Sequence, residues 1–230
     1  MKLAVEKTER LEGTVRAPPS KSHTHRALVI ASLAPGESVI ENPSECDDCM
    51  ATIDACKKMG AVIERDGDLL KIKGVGGKPM RSDSDVHVRN SGTTMRFMAA
   101  VFALAKGPTI LTGDESPRTR PIGPLLASLP DLGAGRARSL NNDGRPPVCV
   151  SGRLSGGKTV IDGNSSQFIS ALLLAAPLAD NDSLIEATGI RSRPYVDMTL
   201  GHLERAGVRV WGKETSRFFV LGRQPYKQTN

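Results

Sequence analysis

The sequence predicts an α/β protein, and two observations carry that prediction. Only 3% of the 230 residues are aromatic although 39% are hydrophobic, so the core must be built mainly from aliphatic side chains, which suits helices packed on sheets. In addition, the order strand, helix, strand, helix and two-stranded hairpin (βαβαββ) occurs three times along the chain. One such unit is too small to bury its own apolar faces, so we expect the three to share one core as a single domain.

The first copy covers about residues 17–75 and contains the clearest turn signal. Asp66-Gly67 stands between two alternating apolar runs, which is the usual signature of a tight hairpin. Strands are assigned from alternating or β-branched runs and helices from apolar residues at helical spacing. The predicted elements, in order, are a strand near 13–17, a helix at 22–34, a strand at 38–41, a helix at 47–59 and hairpin strands at 61–65 and 69–73.

Loops rich in Gly, Ser and Lys separate the second copy, about 84–151, and the third copy, about 158–222, from their neighbours. The second copy is predicted to contain strands at 85–88 and 109–112, helices at 93–105 and from Pro121, and hairpin strands at 136–140 and 148–150. The third is predicted to contain strands at 159–161 and 183–186, helices at 167–176 and 195–206, and hairpin strands at 208–211 and 218–221. Pro130 should end or kink the helix that contains it.

The net charge of the chain favours an anionic partner. The sequence contains 31 Lys and Arg against 25 Asp and Glu, a net charge of +6. Like charges form no long run and few aromatic residues are available to stack on bases, which argues against binding to nucleic acid. The sequence shows neither a signal-peptide core nor an apolar run near the ~20 residues that span a bilayer. We therefore expect a cytoplasmic protein without a membrane partner.

Four cysteines, Cys46, Cys49, Cys56 and Cys149, include one C-x-x-C pair. Since no second pair and no nearby histidine complete a metal site of familiar spacing, no metal is expected. We interpret all four as reduced thiols on or near a helix of a cytosolic protein.

Small polar residues stand at the start of the first helix in each copy. The three segments are Ser20-Lys21-Ser22 followed by Arg26, Asn90-Ser91-Gly92-Thr93-Thr94 followed by Arg96, and Asn164-Ser165-Ser166-Gln167. A helix N-terminus offers unpaired N–H groups and about half a positive charge, and small residues let an anion approach closely. With Lys21 and Arg26 attached, the first segment is a candidate cradle for a phosphate or a carboxylate.

Several of these polar residues also have ordinary explanations. Ser22, Thr93 and Ser166 could each be the N-cap of its helix, because these residue types favour that position in any helix. Arg120, which stands before Pro121 at the second helix of its copy, could be a solvated surface arginine.

Asp47 and Asp48 stand at the corresponding place in the first copy. We interpret both as first-turn carboxylates that complement the helix dipole rather than as a catalytic pair. His23 and His25 lie two residues apart at a helix start, so they do not share a helix face, and we interpret them as incidental.

Six segments together resemble 5-enolpyruvylshikimate-3-phosphate synthase. In chain order they are Pro19-Ser20-Lys21-Ser22 with Arg26, Asn90-Ser91-Gly92-Thr93-Thr94-Met95-Arg96, Thr119-Arg120-Pro121-Ile122-Gly123, Asp143-Gly144-Arg145-Pro146-Pro147, Ser165-Ser166-Gln167-Phe168 and Ser192-Arg193-Pro194-Tyr195. Each segment is weak alone, but all six occur in the family's order across the chain. A sister family that transfers enolpyruvate to a nucleotide sugar shares the fold, yet the S-S-Q-F and S-R-P-Y segments match the shikimate enzyme.

The resemblance implies a protein of two domains, each built from three βαβαββ units, with the substrates in the cleft between them. In this family the enolpyruvyl group of phosphoenolpyruvate passes to the 5-hydroxyl of shikimate 3-phosphate through a tetrahedral adduct, which then loses phosphate. The reaction belongs to the shikimate pathway of aromatic amino acid biosynthesis and is the target of the herbicide glyphosate. The resemblance implies neither a metal nor an organic cofactor.

The resemblance also implies the site residues, position by position. Lys21 would contact both substrates and is the catalytic residue expected in this chain. Shikimate 3-phosphate would further be held by Ser22, Arg26, Ser165, Ser166, Gln167, Ser192 and Tyr195. Phosphoenolpyruvate would further be held by Asn90, Gly92, Arg120 and Gln167.

Because the resemblance covers only the first half of the family's chains, we expect residues 17–225 to form one substrate-binding domain. Residues 1–16 resemble the strand that pairs with the second domain, and 226–230 resemble the start of the linker to it. The second domain, supplied in cis or in trans, would provide the acid–base groups, so the isolated chain should be inactive. Two alternatives remain: a stand-alone sugar-phosphate-binding module without catalysis, and a basic RNA-binding domain.

Overall fold

Three small sheets pack against buried helices in the computed structural model, which describes residues 3–228. The first part of the chain forms α1 (Lys21–Leu33), β1 (Glu37–Glu41), α2 (Asp47–Lys58), β2 (Val62–Asp66) and β3 (Leu69–Lys73). Its sheet is antiparallel with the strand order β1-β3-β2. The predicted hairpin is formed, but its turn residues are Gly67 and Asp68, because Asp66 still pairs with Leu69; Gly67 has φ +59, a conformation that costs glycine little.

The predicted strand near 13–17 is not formed. Residues 3–20 have no helix or strand, and no other described strand lies beside them to complete a hydrogen-bonded ladder. Gly13 has φ +145, and the apolar side chains of Leu3, Val5, Leu11 and Val15 are 82–91% exposed. The first sheet therefore has three strands where the sequence predicted four. Pairing of 1–16 with a second domain stays a prediction, and residues 1 and 2 lie outside the described residues.

The second sheet has the strand order β4-β5-β7-β6, with β4 parallel to β5 and the other pairs antiparallel. Its elements are β4 (Val86–His87), α3 (Gly92–Phe102), β5 (Thr109–Thr112), α4 (Glu115–Thr119), α5 (Gly123–Asp131), β6 (Arg136–Ser139) and β7 (Val148–Ser151). The helix predicted from Pro121 begins at Gly123, since Ile122 is not helical (φ −131), and the amides of Ile122 and Gly123 donate to the carbonyl of Gly144. Pro130 lies in the last turn of that helix, which ends one residue later.

The third sheet has the strand order β10-β11-β9-β8, with β8 parallel to β9. Its elements are β8 (Gly157–Asp162), α6 (Ser166–Ala175), β9 (Ser183–Thr188), α7 (Arg193–Arg205), β10 (Val210–Trp211) and β11 (Arg217–Val220). The second and third parts of the chain thus have matching strand orders, each with a parallel pair at one edge and a hairpin at the other. A 3₁₀ turn over Ala176–Leu178 continues α6.

The core is centred on α3 and α6, which pack against each other and are buried over nearly their whole length. Tyr226 is also part of it, since its side chain is buried and its hydroxyl donates to the carbonyl of Leu174 at 2.6 Å. Packing therefore continues one residue past the predicted domain boundary at 225, while residues 229 and 230 of the predicted linker lie outside the described residues. Within residues 3–228, no helix has the length and apolar character to cross a bilayer.

Candidate functional site

The first turns of α1, α3, α6 and α7 meet at an open cleft of about 440 Å³. Its lining residues are Lys21, Ser22, Arg26, Thr93, Arg96, Phe97, Arg120, Asn164, Ser165, Ser166, Gln167, Ser192 and Tyr195. These include every predicted site residue except Asn90 and Gly92. The polar helix starts, which are far apart in the sequence, therefore lie side by side.

Gly92 lies just behind the lining, at the first position of α3. A Cβ atom on it would be 2.7 Å from Arg96 Nη1 and 3.0 Å from Arg120 Nη1, so a side chain there would displace both guanidinium groups. Asn90 is exposed in the turn before α3. The structure thus connects Gly92 to the cleft through its two arginines.

Ser20 and Ser91, rather than Ser22 and Thr93, are the N-caps of α1 and α3. Each of the two capping hydroxyls accepts a hydrogen bond from the backbone amide three residues later, at 3.4 Å for Ser20 and 3.1 Å for Ser91. The capping explanation for Ser22 and Thr93 is therefore wrong. Their side chains are left on the cleft lining.

At α6 the capping position is Ser165, not Ser166, and the Ser165 side chain makes no cap hydrogen bond. Gln167, two residues further on, donates from Nε2 to Thr93 Oγ1 at 3.0 Å and so connects the starts of α6 and α3. Within the described chain, the hydroxyls of Ser22, Ser165 and Ser166 have no hydrogen-bond partner. They are available to a polar ligand.

Arg26 lies at the base of the cleft and is only 3% exposed. Its guanidinium donates to Thr199 Oγ1 at 2.7 Å, to the carbonyls of Ser22 and Tyr195 at 2.9 Å, and to Ser170 Oγ at 3.3 Å. It also lies over the Phe97 ring, 5.3 Å from the centroid. Burial lowers the pKa of Arg26 to about 10, and none of these partners is a carboxylate. Arg26 thus links α1 to α6 and α7 while bringing an unneutralised charge to the cleft.

Arg96, for which no role was predicted from the sequence, is a second buried arginine of the cleft and lies near the start of α3. It donates from Nη1 to the Gly92 carbonyl at 2.9 Å and from Nη2 to the Pro121 carbonyl at 3.0 Å, and it lies 5.4 Å from the centroid of the Phe168 ring. Its Nε is buried without a partner in the described chain. Burial, and then the charge of Arg120, lower its pKa to about 10. A sequence signal for this role does exist: Arg96 follows Gly92 by four residues, just as Arg26 follows Ser22 by four residues.

Lys21 is paired with Asp48 across the starts of α1 and α2, with Nζ 2.8 Å from Oδ2. The Lys21 side chain is about half exposed, and the hydrogen bond that it donates to Asp48 raises its pKa above the ordinary value. Asp48 lies in the first turn of α2 as predicted, but it also holds the ammonium group at the edge of the cleft. Sequence spacing could not reveal this contact, because the two residues belong to different helices.

His25 belongs to a buried polar chain behind the cleft. Its Nδ1 is 2.7 Å from Thr52 Oγ1, which is 2.7 Å from Thr94 Oγ1, and that hydroxyl is in turn 2.6 Å from Ser91 Oγ. Burial lowers the pKa of His25 to about 4, so the ring is neutral near pH 7. These hydrogen bonds join α1, α2 and α3 within their first two turns, so His25 is not incidental to the fold.

His23 instead points toward α7, where its Nδ1 is 2.9 Å from His202 Nε2. Burial lowers the pKa of His202 to about 4, with further lowering by nearby positive groups. Neither ring is on the cleft lining, so neither is placed to act on a ligand there.

The electrostatic character of the cleft is strongly positive. Lys21, Arg26, Arg96 and Arg120 contribute to its lining, and no carboxylate is among the lining residues. Fixed cations, helix N-termini and free hydroxyls are the groups that bind phosphates and carboxylates. In the part of the chain described, 3–228, no group of three or more His, Cys, Asp or Glu is placed to hold a metal ion.

Comparison with known proteins identifies the family. The family model of EPSP synthase (3-phosphoshikimate 1-carboxyvinyltransferase) matches residues 5–230. This chain belongs to the EPSP synthase family. Among curated EPSP synthases, the chain is 48% identical to that of Methanococcoides burtonii over 221 residues, covering 94% of this chain and 51% of that protein. It is 42% identical to that of Acetivibrio thermocellus over 230 residues, covering all of this chain and 54% of that protein.

The fold agrees with solved EPSP synthases. The structure of EPSP synthase from Acinetobacter baumannii aligns with a TM-score of 0.85 at 27% sequence identity, covering 95% of this chain and 48% of that one. The chain therefore spans about half the length of the EPSP synthases it matches, and it corresponds to their amino-terminal half.

Proposed function

We propose that this chain is the half of an EPSP synthase that binds shikimate 3-phosphate. With a second domain it would transfer the enolpyruvyl group of phosphoenolpyruvate to the 5-hydroxyl of shikimate 3-phosphate and release phosphate. The observation that carries the proposal is the cleft lined by four cationic side chains and unpaired serine hydroxyls, with no lining carboxylate. Both substrates are polyanions, and fixed cations bind such groups without the cost of reorganising solvent.

Shikimate 3-phosphate is assigned to the part of the cleft between α1, α6 and α7. The free hydroxyls of Ser22, Ser165 and Ser166 would donate to its phosphate, and Ser192 and the half-exposed ring of Tyr195 would line its carbocycle. Arg26 would act mainly through its charge, because most of its donors are already used within the protein. Lys21 would contact both substrates, and the hydrogen bond that it donates to Asp48 raises its pKa and so favours the charged form.

Phosphoenolpyruvate is assigned to the side of the cleft formed by α3 and the segment after α4. Arg120 is exposed, and its planar fork suits a carboxylate or a phosphate. The missing side chain of Gly92 leaves room for this guanidinium, while Gln167 would donate from the start of α6 and Asn90 would shape the same pocket. Arg96 adds positive charge from below.

The proposed chemistry requires groups that this cleft lacks. Addition of the 5-hydroxyl across the enol double bond moves one proton onto the methylene carbon and removes one from the hydroxyl. Acid–base groups must lie within ~3 Å of those atoms, and no carboxylate is among the lining residues. We therefore assign these groups to a second domain in cis or in trans, which would also exclude water and strengthen each charge. No metal or organic cofactor is invoked.

We further propose that the three parts of the chain are copies of one βαβαββ unit in a two-domain, cytoplasmic transferase of aromatic amino acid biosynthesis. The matching strand orders of the second and third sheets support this. A repeated cation–π contact also supports it, because Arg26 of α1 lies on Phe97 of α3 and Arg96 of α3 lies on Phe168 of α6. The first copy would gain its fourth strand from residues 13–17 when a second domain provides the neighbour they lack.

Calorimetric titration of the purified chain tests the binding proposal. Shikimate 3-phosphate should bind, shikimate without its phosphate should bind much more weakly, and inorganic phosphate should compete. Absence of any heat at millimolar shikimate 3-phosphate would contradict it.

The alternative, a stand-alone sugar-phosphate-binding module, is separated by complementing a mutant that lacks this transferase. Rescue only when a second-domain chain is co-expressed supports the transferase half, whereas binding without rescue supports the module.

A further inference from the structure

Cys46 and Cys49 flank the carboxylate that holds Lys21. Cys46 is the exposed N-cap residue of α2, and Cys49, three residues later, is buried. The backbone amide of Cys49 donates to the Cys46 carbonyl at 2.8 Å, as in any first helical turn. Between them lies Asp48, which binds Lys21 Nζ at 2.8 Å, and the Cys49 thiol itself donates to the Lys21 carbonyl at 3.8 Å. Both side-chain contacts that α2 makes with Lys21 therefore come from this one turn.

The two thiols have different acidities. Burial acts to raise the pKa of Cys46, but hydrogen bonds from Ser44 and from the amide and thiol of Cys49 outweigh it, so its pKa is lowered. Burial, together with the neighbouring Cys46, raises the pKa of Cys49 to about 12. An exposed, more acidic first cysteine and a buried, less acidic second one are the arrangement of C-x-x-C pairs that exchange disulfides. Of the other two cysteines, Cys56 is buried two turns further along α2 and Cys149 is buried in β7.

We propose that Cys46 and Cys49 form a reversible disulfide that releases Lys21 and so switches off anion binding in the cleft. The effect on binding rests on the function proposed above, whereas the disulfide itself does not. The oxidant is another disulfide, either a small molecule or a protein.

The exchange takes place in two steps. The Cys46 thiolate attacks one sulfur of the external disulfide, forms a mixed disulfide and expels a thiolate. This step removes the negative charge of Cys46, which had helped to keep the Cys49 thiol protonated. Cys49 then loses its proton to solvent and attacks the Cys46 sulfur, expelling the second external thiolate. Two protein thiols are thereby oxidised to a disulfide while one external disulfide is reduced to two thiols.

Oxidation should affect both contacts that α2 makes with Lys21. The Cys49 S–H donor to the Lys21 carbonyl no longer exists once the sulfur is in a disulfide. In addition, a disulfide holds its two Cβ atoms about 3.5–4.5 Å apart, so closing it fixes Cys46, whose backbone is extended at the N-cap (φ −62, ψ 154), against the first turn of α2. Asp48 lies on that turn, and we expect the new constraint to shift its carboxylate. Lys21 should lose its fixed position at the cleft edge.

The first arm of the test follows thiols alone. The full chain is equilibrated in mixtures of reduced and oxidised glutathione, and free thiols are alkylated and counted by mass spectrometry with peptide mapping. We expect the four free thiols to fall to two, with the linkage between Cys46 and Cys49. Cys46→Ser, which keeps a good N-cap, should retain all its remaining thiols, and Cys149→Ser should still form the disulfide. A glutathione adduct on Cys46 without closure, or no oxidation, would overturn the proposal.

The second arm follows Lys21. Its pKa is measured by NMR on the ¹³C-methylated protein, with the signal assigned through Lys21→Arg. Oxidation should lower this pKa toward the ordinary value and weaken shikimate 3-phosphate binding about tenfold, with reversal by dithiothreitol. Neither change should occur in Cys46→Ser. An unchanged Lys21 signal in the oxidised protein would overturn the switch. If neither redox form binds shikimate 3-phosphate, the proposed function fails while the thiol and Lys21 measurements still decide the redox proposal.

Discussion

Arg26 and Arg96 are buried guanidinium groups without a carboxylate partner. Taking a charge out of water is expensive, and here carbonyls, hydroxyls and aromatic faces offset only part of the cost, as their lowered pKa values indicate. An anion in the cleft would replace the favourable interaction with water that the two positive charges lose on burial. We therefore expect the two arginines to lower the stability of the fold and to favour an anion in the cleft.

The substitution Arg96→Met should therefore separate stability from anion binding. We expect the free energy of unfolding to change by less than about 1.5 kcal/mol, because losing two hydrogen bonds to carbonyls is offset by removing a buried charge and its repulsion from Arg120. The rise in Tm that inorganic phosphate causes should largely disappear. Thermal denaturation with and without phosphate measures both. Arg153→Met, which removes an exposed arginine paired with Asp180, is the control, and an equal phosphate effect in all three proteins would contradict the assignment.

His25 makes stability depend on pH. Its folded pKa of about 4 lies below the ordinary 6.5, so the unfolded chain binds a proton in this interval and the folded chain does not. Its contribution is therefore complete above pH 6.5 and is lost as the pH falls toward 4, by about 3 kcal/mol. His25→Asn, which keeps an acceptor for Thr52, should reduce this dependence in urea denaturation, while the part due to His202, whose pKa burial also lowers to about 4, should remain. The exposed His87→Asn should follow the wild type, and identical curves for all three would refute the proposed linkage.

At the scale of the element, the cleft is built from helix starts, and the first position of α3 is closely approached by two guanidinium groups. Gly92→Ala should still fold, since the atoms in the way are the ends of the Arg96 and Arg120 side chains and alanine favours the helix. It should displace both guanidinium groups and, through the exposed Arg120 fork, raise KM for phosphoenolpyruvate about tenfold in the reconstituted enzyme, with a smaller effect on shikimate 3-phosphate. Gly201→Ala, a helical glycine of α7 with nothing within 4 Å, is the matched control. Equal losses for both substrates would contradict the assignment of Gly92.

Most elements could be predicted because each has a local signature. The hairpin signalled by Asp66-Gly67 and the largely apolar α6 need no tertiary information. The local sequence of residues 13–17 predicts a strand, but a strand also needs a neighbouring strand to pair with. No described strand lies beside these residues, and the local sequence could not reveal this.

The site was predictable where residues follow one another in the chain and not where they meet in space. Small residues and basic groups at helix starts pointed to the cleft. The pairing of Lys21 with Asp48 and the chain from His25 through Thr52 depend on how α1 packs against α2. Errors of one or two residues at the caps had a further cause: Ser and Thr occur close together here, and both residue types favour the capping position.

At the scale of the whole molecule, we expect no turnover from the isolated chain. Each missing acid–base group costs about 10²–10⁴ in rate, and an open half-cleft leaves both substrates in water. Phosphate release from phosphoenolpyruvate and shikimate 3-phosphate should be undetectable, and it should appear when a matching second domain is added. Turnover of about one per second by the chain alone, abolished by Lys21→Ala, would show that this half is self-sufficient.

Two buried cleft arginines each lie on a ring of the next central helix, Arg26 on Phe97 of α3 and Arg96 on Phe168 of α6. Separating α1 from α3, or α3 from α6, would expose a guanidinium and a ring to water. We therefore expect few low-energy partial openings and one cooperative unit. In hydrogen exchange, the central amides of α1, α3 and α6 should share one free energy of opening, equal to that of global unfolding. A separately exchanging α1 would show that the first sheet is an independent foldon.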